Sequence, residues 1–147
     1  MSKVIVDSCV LINSFQRDSV HRNDSIAFID HVVREGQLIT MPAHGWFEVW
    51  CNVNRLSEVD RTYLHPVFAG QMNLPLELIH IDDQFIRKYG NVKLPYTKAA
   101  DHIFIVVAFV NLYLLVTWDD KMRKVAEQVG VQVCDPNEYL QSFKTTA

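Results

Sequence analysis

Residues 98–122 read KAADHIFIVVAFVNLYLLVTWDDKM, and this stretch decides how the fold is predicted. Asp101 is followed by the 17 uncharged residues 102–118 and then by the acid pair Asp119 and Asp120. The apolar run 103–116 is shorter than the roughly 20 residues that a membrane-spanning helix needs, so it indicates protein interior. Its β-branched residues cluster toward the carboxyl end, so we predict a helix over about 97–111 and a strand over about 113–117.

The predicted helix and strand bring acidic residues to one edge of a sheet. Asp101 lies one turn inside the helix, on the face that it shares with Ile105 and Leu112. The strand delivers Thr117 and Asp119 at its carboxyl end. Ligands bind at that end of open parallel sheets, so we expect Asp101 and Asp119 at the same edge.

Strands and helices alternate along the rest of the chain. Apolar, β-branched runs predict further strands at residues 3–6, 37–42, 76–81 and 131–134. Helical periodicity predicts helices at residues 9–15, 21–36, 43–57, 83–89, 121–130 and 135–143. The segment 58–72 also looks helical, and we predict that it forms a hairpin with the helix before it. The alternation favours an α/β fold, a three-layer α/β/α sandwich with a central parallel sheet of four to five strands.

Length and composition are those of an ordinary globular protein. The 147 residues, of which 49% are hydrophobic and 21% charged, predict one domain over 1–147 with a single core and exclude disorder as the main state. The N-terminus lacks the apolar region of a signal peptide, so we expect a cytoplasmic protein with no membrane partner. A net charge of −3 argues against broad coating of nucleic acid but allows a local basic patch.

The cysteines and histidines give no sign of a soft-metal site. Cys9, Cys51 and Cys134 are odd in number, widely spaced and without a CxxC pair. They support neither a disulfide framework nor a zinc cluster, so we interpret them as buried thiols. The six histidines likewise show no metal-ligand spacing such as HExxH.

Two further acids can reach the predicted edge. The first strand ends at Asp7, which by itself is equally well explained as a helix N-cap. Glu48 is the only acid of the helix over 43–57, and it lies either on the solvent side or inward among its aromatic neighbours. If the first and fourth strands are neighbours, Asp7, Asp101 and Asp119 converge and Glu48 can reach them.

Four carboxylates at one edge predict a cation there. They repel one another by about several kcal/mol per pair unless a positive charge compensates them. Oxygen ligands without a Cys or His cluster favour Mg²⁺ or Mn²⁺ over zinc. Such ions act on phosphate esters, so the predicted reaction is phosphodiester hydrolysis. A phosphoaspartyl phosphatase would need an acid where Cys9 stands, and a dinucleotide site would need a glycine-rich turn, which DSCVLI lacks.

Only one acid of the adjacent pair is predicted to face the site, because consecutive residues leaving a strand point in different directions. We choose Asp119, since the Thr117 hydroxyl two residues earlier falls on the same side and can orient a ligand or a metal-bound water. Asp120 is predicted to face away and to cap the helix that begins near Lys121.

The chain resembles a PIN domain in motifs spread along nearly its whole length. The motifs that carry the resemblance are Asp7-Ser8 with Leu11-Ile12, Glu48, Asp101 with Ala108 seven residues on, and Thr117-Trp118-Asp119 with Met122. Within that family the chain is most similar to the small single-domain VapC-like toxin ribonucleases. Where the family commonly has a glycine before the fourth strand, this chain has Asn111-Leu112.

The resemblance implies an endoribonuclease that depends on Mg²⁺ or Mn²⁺. The residues that it assigns to the metal and to catalysis are Asp7, Glu48, Asp101 and Asp119, with Ser8 and Thr117 beside them. It also implies an RNA substrate, a homodimer and a small antitoxin partner that occupies the groove. The alternative is a PIN-like module that no longer cleaves and that binds RNA or protein.

Basic and aromatic residues flank the predicted acidic edge. Contacts with RNA phosphates are predicted for Lys93, Lys98, Lys121, Arg123 and Lys124, and base stacking for Trp118 and Tyr96. The alternative for each residue is that the basic side chains are solvated and that the aromatic rings belong partly to the core.

Overall fold

The computed structural model describes residues 3–144, and its centre is a parallel sheet. The strands are β1 (Val4–Val6), β2 (Ile39–Pro42), β3 (Leu76–Ile79), β4 (Leu114–Val116) and β5 (Val133–Cys134). The helices are α1 (Ser8–Ile12), α2 (Arg22–Glu35), α3 (Ala43–Asn54), α4 (Glu58–Arg61), α5 (Asp83–Tyr89), α6 (Ala99–Asn111), α7 (Asp120–Gln128) and α8 (Pro136–Lys144), with a 3₁₀ turn (Asn13–Phe15) after α1. Each strand lies inside the segment predicted for it, so the strand predictions are confirmed.

The strands pair in the order β3-β2-β1-β4-β5, and every pairing is parallel. In the centre, Val4 of β1 is level with Ile39 of β2 on one side and with Leu114 of β4 on the other. Val6 and Val116, the last residues of β1 and β4, are level with each other. The predicted parallel sheet is confirmed, with five strands and with the first and fourth strands as neighbours.

Helices cover both faces of the sheet, as the burial of β1 indicates. Val4, Ile5 and Val6 point alternately to opposite faces, yet none of them is more than 4% exposed. A strand covered on both faces appears in the sequence as a continuous apolar run, which is typical of parallel sheets. In α6, the residues from Phe104 to Ala108 are buried as well, so the long apolar run is protein interior. No helix within residues 3–144 is both long and apolar enough to cross a membrane.

Leu112 departs from its predicted position on the helix face that carries Asp101 and Ile105, because α6 ends at Asn111. It follows the last residue of the helix with a left-handed φ of 58°, and its side chain is 82% exposed. This conformation costs a non-glycine residue about 1–2 kcal/mol. The N–H groups of Leu112 and Tyr113 both bond to the carbonyl of Ala108, which closes the helix end. A glycine at this position, common in the family that the chain resembles, would adopt the conformation without that cost.

The prediction of a long helix over 58–72 is wrong. α4 ends at Arg61, and turns follow it. Pro66 offers no backbone N–H and disfavours helical geometry at the residue before it, and Gly70 has a positive φ of 76°. The segment is instead held against α2 by His65, a buried residue whose Nε2 lies 2.6 Å from Asp30 Oδ1.

Cys9, Cys51 and Cys134 are free thiols. The prediction that they are buried holds only in part, since each of them is half-buried. Burial first of all, and then the charges of Glu138 and Asp135, raise the pKa of Cys134 to about 12. This thiol is therefore protonated at neutral pH.

Candidate functional site

The sheet order creates a crevice at the carboxyl ends of β1 and β4. β2 lies on one side of β1 and β4 on the other, so the connections after β1 and β4 leave the sheet in opposite directions. Ligands bind at such topological switch points in open α/β sheets. Asp7 follows β1 directly, and its N–H donates to the carbonyl of Val116 at 3.0 Å. Thr117 follows β4, so the two polar residues meet at the crevice.

Asp7 is buried in this crevice, with 6% of its surface exposed. Its Oδ2 accepts hydrogen bonds from Thr117 Oγ1 at 2.8 Å and from Cys9 Sγ at 3.0 Å. Burial raises the pKa of Asp7 above its ordinary value of 3.8, these two hydrogen bonds lower it, and the carboxylates of Asp119 and Asp101 raise it. Asp7 occupies the N-cap position of α1 but makes no side-chain capping bond, so the simple capping interpretation is wrong.

The thiol of Cys9 is a site contact that the sequence interpretation missed. Burial raises the pKa of Cys9 far above its ordinary value of 9.0, and the charge of Asp7 raises it further. The thiol is therefore protonated and donates to the carboxylate. The signal in the sequence is its place two residues after Asp7, in the first turn of α1.

Ser8 joins Glu48 to the same edge. Ser8 is 3% exposed, and its Oγ donates to Glu48 Oε2 at 3.0 Å and lies 3.4 Å from Asp7 Oδ1. Glu48 belongs to α3, which begins directly after β2 and therefore starts at the carboxyl edge of the sheet. Glu48 is exposed. The solvent-side position is therefore the one observed, and the exposed carboxylate is also bonded to the neighbour of Asp7.

Asp101 comes from the first turn of α6, whose N-terminus lies at this edge because α6 leads back to the start of β4. Burial raises the pKa of Asp101 above its ordinary value of 3.8, and Asp119 raises it. Lys98 lowers it, Glu48 raises it, and His44 lowers it. Asp101 is therefore within electrostatic reach of two of the other predicted acids.

His44 is a second residue that the sequence interpretation did not assign to the site. Its Nε2 lies 3.1 Å from the carbonyl oxygen of Ala100, the residue before Asp101. Its ring packs against Phe104 with 5.4 Å between ring centroids. His44 thereby links the start of α3 to the start of α6. Its position in the second residue of a helix after a strand is the signal that the sequence offered.

Asp119 caps α7, which corrects the prediction for the acid pair. Its Oδ1 accepts hydrogen bonds from the N–H groups of Lys121 at 2.8 Å and Met122 at 3.0 Å. Asp119 has extended backbone, with φ −81° and ψ 111°, whereas Asp120 is already the first residue of the helix. Asp120 is therefore not the cap, and Asp119 combines capping with its place beside the other acids.

The buried hydroxyl of Thr117 bonds to the exits of both central strands. It donates to Asp7 Oδ2 at 2.8 Å and accepts from the N–H of Asp119 at 2.9 Å. It thus contacts the carboxylate of Asp7, one of the predicted ligands, and not that of Asp119. The hydroxyl instead fixes the backbone of Asp119 relative to the carboxylate of Asp7.

A cavity of about 550 Å³ lies beside these acids, between α7 and the start of α6. Its charged and aromatic lining residues are Tyr96, Lys98, Asp101, Asp119, Asp120 and Lys121. Both lysines are exposed, and Tyr96 is 92% exposed. The cavity therefore places cationic groups and an open aromatic ring next to two of the predicted acids.

The model of the PIN domain family matches residues 4–128 of the chain, from the start of β1 to the end of α7. The chain belongs to the PIN domain family. The resemblance inferred from its motifs is thereby confirmed, and the matched range includes the four predicted site acids.

Solved structures share the fold of this PIN domain. FitAcB from Neisseria gonorrhoeae matches with a TM-score of 0.59 and 18% identity, over 90% of this chain and 97% of that chain. VapBC2 from Rickettsia felis, bound to a DNA fragment from their promoter, matches with a TM-score of 0.54 and 11% identity, over 90% and 97% of the two chains. FitAB bound to an IR36 DNA fragment gives 0.58 and 18%, over 90% and 94%. At these identities the likeness establishes the fold alone. No curated protein sequence matches this chain.

The donor atoms at the edge of this PIN domain suit a hard divalent cation. Carboxylate oxygens are the ligands that Mg²⁺ and Mn²⁺ prefer. None of the four acids forms an ion pair with Lys or Arg within residues 3–144. In the same range, no three Asp, Glu, His or Cys side chains stand close enough together to hold one metal ion. The donor chemistry and charge therefore fit, and binding would require the carboxylates to swing toward a common point.

Two of the predicted RNA contacts are engaged within the protein. Trp118 stacks on His21, with 3.9 Å between ring centroids and 12° between ring planes, so one face of the indole is not open to a base. Its Nε1 donates to Ser25 Oγ at 2.9 Å. Arg123 forms ion pairs with two glutamates at 2.5 and 2.9 Å. For Trp118 the structure favours the alternative that the ring belongs partly to the core, and the charge of Arg123 is engaged within the protein.

Proposed function

We propose that this PIN domain is an endoribonuclease that hydrolyses RNA phosphodiester bonds with Mg²⁺ or Mn²⁺ bound at the carboxyl edge of β1 and β4. The observation that carries the proposal is the electrostatic grouping of the acids. Asp119 and Asp101 raise the pKa of Asp7, and Asp119 and Glu48 raise that of Asp101. A divalent cation would relieve this repulsion and favour the ionised carboxylates.

The four acids have different places in the proposed site. Asp7 lies deep in the crevice, and Asp101 and Asp119 line the cavity; we propose these three as metal ligands. Glu48 approaches from α3 in the orientation that Ser8 gives it, as a further ligand or a partner of the attacking water. Held by these residues, a divalent ion would polarise the phosphoryl oxygen and lower the pKa of a water.

The hydrogen bonds that the carboxylates accept indicate which of their oxygens remain to bind the ion. Thr117 and Cys9 both donate to Oδ2 of Asp7, so Oδ1, with its longer contact to Ser8 of 3.4 Å, is the oxygen that we assign to the metal. Asp119 uses Oδ1 to cap α7, so Oδ2 is assigned to the metal there. In Asp7 and in Asp119, one carboxylate oxygen is thus engaged by the protein, and we propose that the other serves the ion.

The cavity wall supplies the proposed RNA contacts. Lys98 and Lys121 are exposed there, and we propose that they neutralise RNA phosphates beside the acids. Tyr96 offers an open ring for stacking on a base. Lys93 and Lys124 are exposed as well and extend the proposed phosphate path. These contacts position RNA without reading its sequence.

We further propose that the protein is the toxin of a toxin–antitoxin pair, acting in the cytoplasm as a homodimer with a small antitoxin protein as partner. The support is the resemblance of its motifs to those of VapC-like toxins and the fold that it shares with FitAcB and VapBC2. Inspection of the neighbouring reading frame for a small antitoxin gene tests this part of the proposal.

The alternative function is a PIN-like module that binds RNA or protein without cleaving. The observation that favours it is the spacing of the acids, since no three ligating side chains within residues 3–144 stand within reach of one ion. The presence of all four acids favours the enzyme. The two functions differ in one property, because only the enzyme cleaves RNA in a metal-dependent reaction.

A cleavage assay separates the two functions. Structured and unstructured RNAs are incubated with the protein in Mg²⁺, in Mn²⁺ and in EDTA, together with the variant Asp101→Asn. The matched control is Asp83→Asn, which changes an exposed acid in the first turn of α5. We expect cleavage by the wild type and the control that requires metal, and none by Asp101→Asn. Binding without cleavage under every metal condition would contradict the enzyme and support the binding module.

A further inference from the structure

Trp118 follows β4 and lies between Thr117 and Asp119, the two residues of this segment that belong to the acidic edge. Its indole Nε1 donates to Ser25 Oγ at 2.9 Å, and Ser25 is fully buried in the first turn of α2. Its ring stacks on His21 in a nearly parallel arrangement. A ring held by a hydrogen bond at its edge and by a stack on its face has little freedom to turn. The backbone from Thr117 to Asp119 is therefore anchored to the start of α2.

The anchor continues from α2 to the helix that follows Asp7. The N–H of His21 donates to Ser19 Oγ at 3.1 Å, and Ser19 Oγ donates to Asn13 Oδ1 at 2.5 Å. Asn13 Nδ2 in turn donates to the carbonyl of Cys9 at 2.6 Å. A continuous polar chain thus joins the turn beneath Trp118 to the residue whose thiol contacts Asp7. Both sides of the crevice are therefore connected by hydrogen bonds to the N-terminal end of α2.

The placement of the site carboxylates depends on this backbone. Thr117 reaches Asp7 at 2.8 Å, and the N–H of Asp119 reaches Thr117 at 2.9 Å. These short side chains keep such distances only if the backbone between them stays fixed. A shift of the segment by about 1 Å would lengthen each bond beyond useful range, since hydrogen bonds weaken steeply past about 3.2 Å.

We propose that Trp118 is a positioning residue, and that through Ser25 and His21 it holds Thr117 and Asp119 where they complete the metal site. The inference rests on the function proposed above and gives Trp118 a role within the protein in place of the base stacking that its sequence position suggested. It predicts that loss of the indole N–H and loss of the Ser25 hydroxyl weaken metal binding to a similar extent and not additively.

The test compares Mn²⁺ affinity in matched variants by titration calorimetry, under conditions where every variant is folded by circular dichroism. Trp118→Phe removes the N–H and keeps an aromatic ring, and Ser25→Ala removes its acceptor. Trp50→Phe and Ser14→Ala are the controls, since Trp50 packs against Trp46 and Ser14 bonds to the carbonyl of Leu11.

We expect Trp118→Phe and Ser25→Ala each to weaken Mn²⁺ binding by about 3- to 10-fold. This effect is at or below the low end of the losses seen when a residue that hydrogen-bonds to a metal ligand is substituted. The double variant should lose no more than the larger single effect, because the two groups form one bond. The controls should bind like the wild type. If Ser25→Ala and Trp118→Phe lower the melting temperature but keep wild-type affinity, Trp118 is only structural and the inference is overturned. If the wild type itself binds no Mn²⁺, the proposed function fails and the inference fails with it.

Discussion

Thr117 Oγ1 donates a 2.8 Å hydrogen bond to Asp7 Oδ2, which joins the exits of two neighbouring strands that are 110 residues apart in the sequence. The same hydroxyl accepts from the N–H of Asp119 at 2.9 Å. One buried side chain therefore sets the relative placement of two of the acids. The hydroxyl, rather than the shape of the threonine, is the group on which this arrangement depends.

Thr117→Val should test that dependence, because it removes the hydroxyl and preserves the shape. Asp7 Oδ2 loses one of its two donors, and the Asp119 N–H loses its acceptor. We expect the free energy of unfolding to fall by about 1–3 kcal/mol, the cost of unsatisfied buried polar groups, and RNA cleavage to fall with it. Thr117→Ser keeps the hydroxyl and serves as the control in urea unfolding and cleavage assays. A valine variant as stable and active as the serine variant would contradict this account.

Asp7→Asn should change how the stability of the metal-free protein depends on pH. The pKa of Asp7 is raised on folding, so the stability that its protonated form contributes is fully present below the unfolded pKa of about 3.8 and is lost as pH rises through the folded pKa. Asparagine does not ionise and avoids that loss. Relative to wild type, the variant should gain stability as pH rises, and it should not cleave RNA.

Urea unfolding in EDTA at a series of pH values measures this effect. The difference in unfolding free energy, variant minus wild type, should increase between about pH 4 and pH 7. The control Asp83→Asn should show no comparable trend. A difference that decreases with pH would mean that the folded state lowers the pKa of Asp7, contrary to its burial beside Asp119 and Asp101.

Three variants separate capping from catalysis in the acid pair. Asp119→Asn keeps an oxygen that can cap α7, so it should lose cleavage with little loss of stability. Asp119→Ala should lose both, with about 0.5–2 kcal/mol of stability removed with the cap. Asp120→Ala should keep both nearly unchanged, since Asp120 makes no capping bond. Cleavage rates and melting temperatures test this, and control of the rate by Asp120 would refute the assignment.

Gly45 allows α3 and α6, which carry Glu48 and Asp101, to approach closely. A Cβ at position 45 would lie 2.9 Å from Cζ of Phe104, a buried ring. Alanine gains about 1 kcal/mol in helix propensity, but overpacking a core costs about 1–3 kcal/mol. We expect Gly45→Ala to lower the unfolding free energy by up to about 2 kcal/mol and to reduce cleavage. Adding Phe104→Leu should restore part of the stability, whereas a more stable Gly45→Ala protein would show that the helices can separate freely.

The sheet could be predicted because its signals are local and strong. The strands are short, mostly apolar runs, of which β1 and β2 are buried on both faces. Helix α5 spans Asp83–Tyr89 as predicted, with Asp82 accepting from the Phe85 N–H as its cap. The convergence of the acids was conditional on β1 and β4 being neighbours, and the sheet meets that condition. Local patterns therefore sufficed for the strands and for most of the helices, but not for the segment 58–72.

The details that failed depend on contacts distant in sequence. Which of Asp119 and Asp120 caps α7 follows from the backbone of Asp119, whose N–H is held by Thr117, which is in turn bonded to Asp7. Glu48 is an exposed residue whose link to the site is the hydroxyl of Ser8, 40 residues earlier. These contacts cannot be predicted from the periodicity or the residue propensities within either segment.

The central claim is that the acidic edge holds a divalent ion, and the shift of the melting temperature on adding Mn²⁺ tests it most directly. A ligand that binds only the folded state stabilises it by mass action. The account predicts that Mn²⁺ raises the melting temperature of the wild type and of the Asp83→Asn control, and that the shift disappears in the double variant Asp7→Asn, Asp101→Asn. Equal shifts in the wild type and the double variant would show that the ion binds elsewhere and would contradict the account.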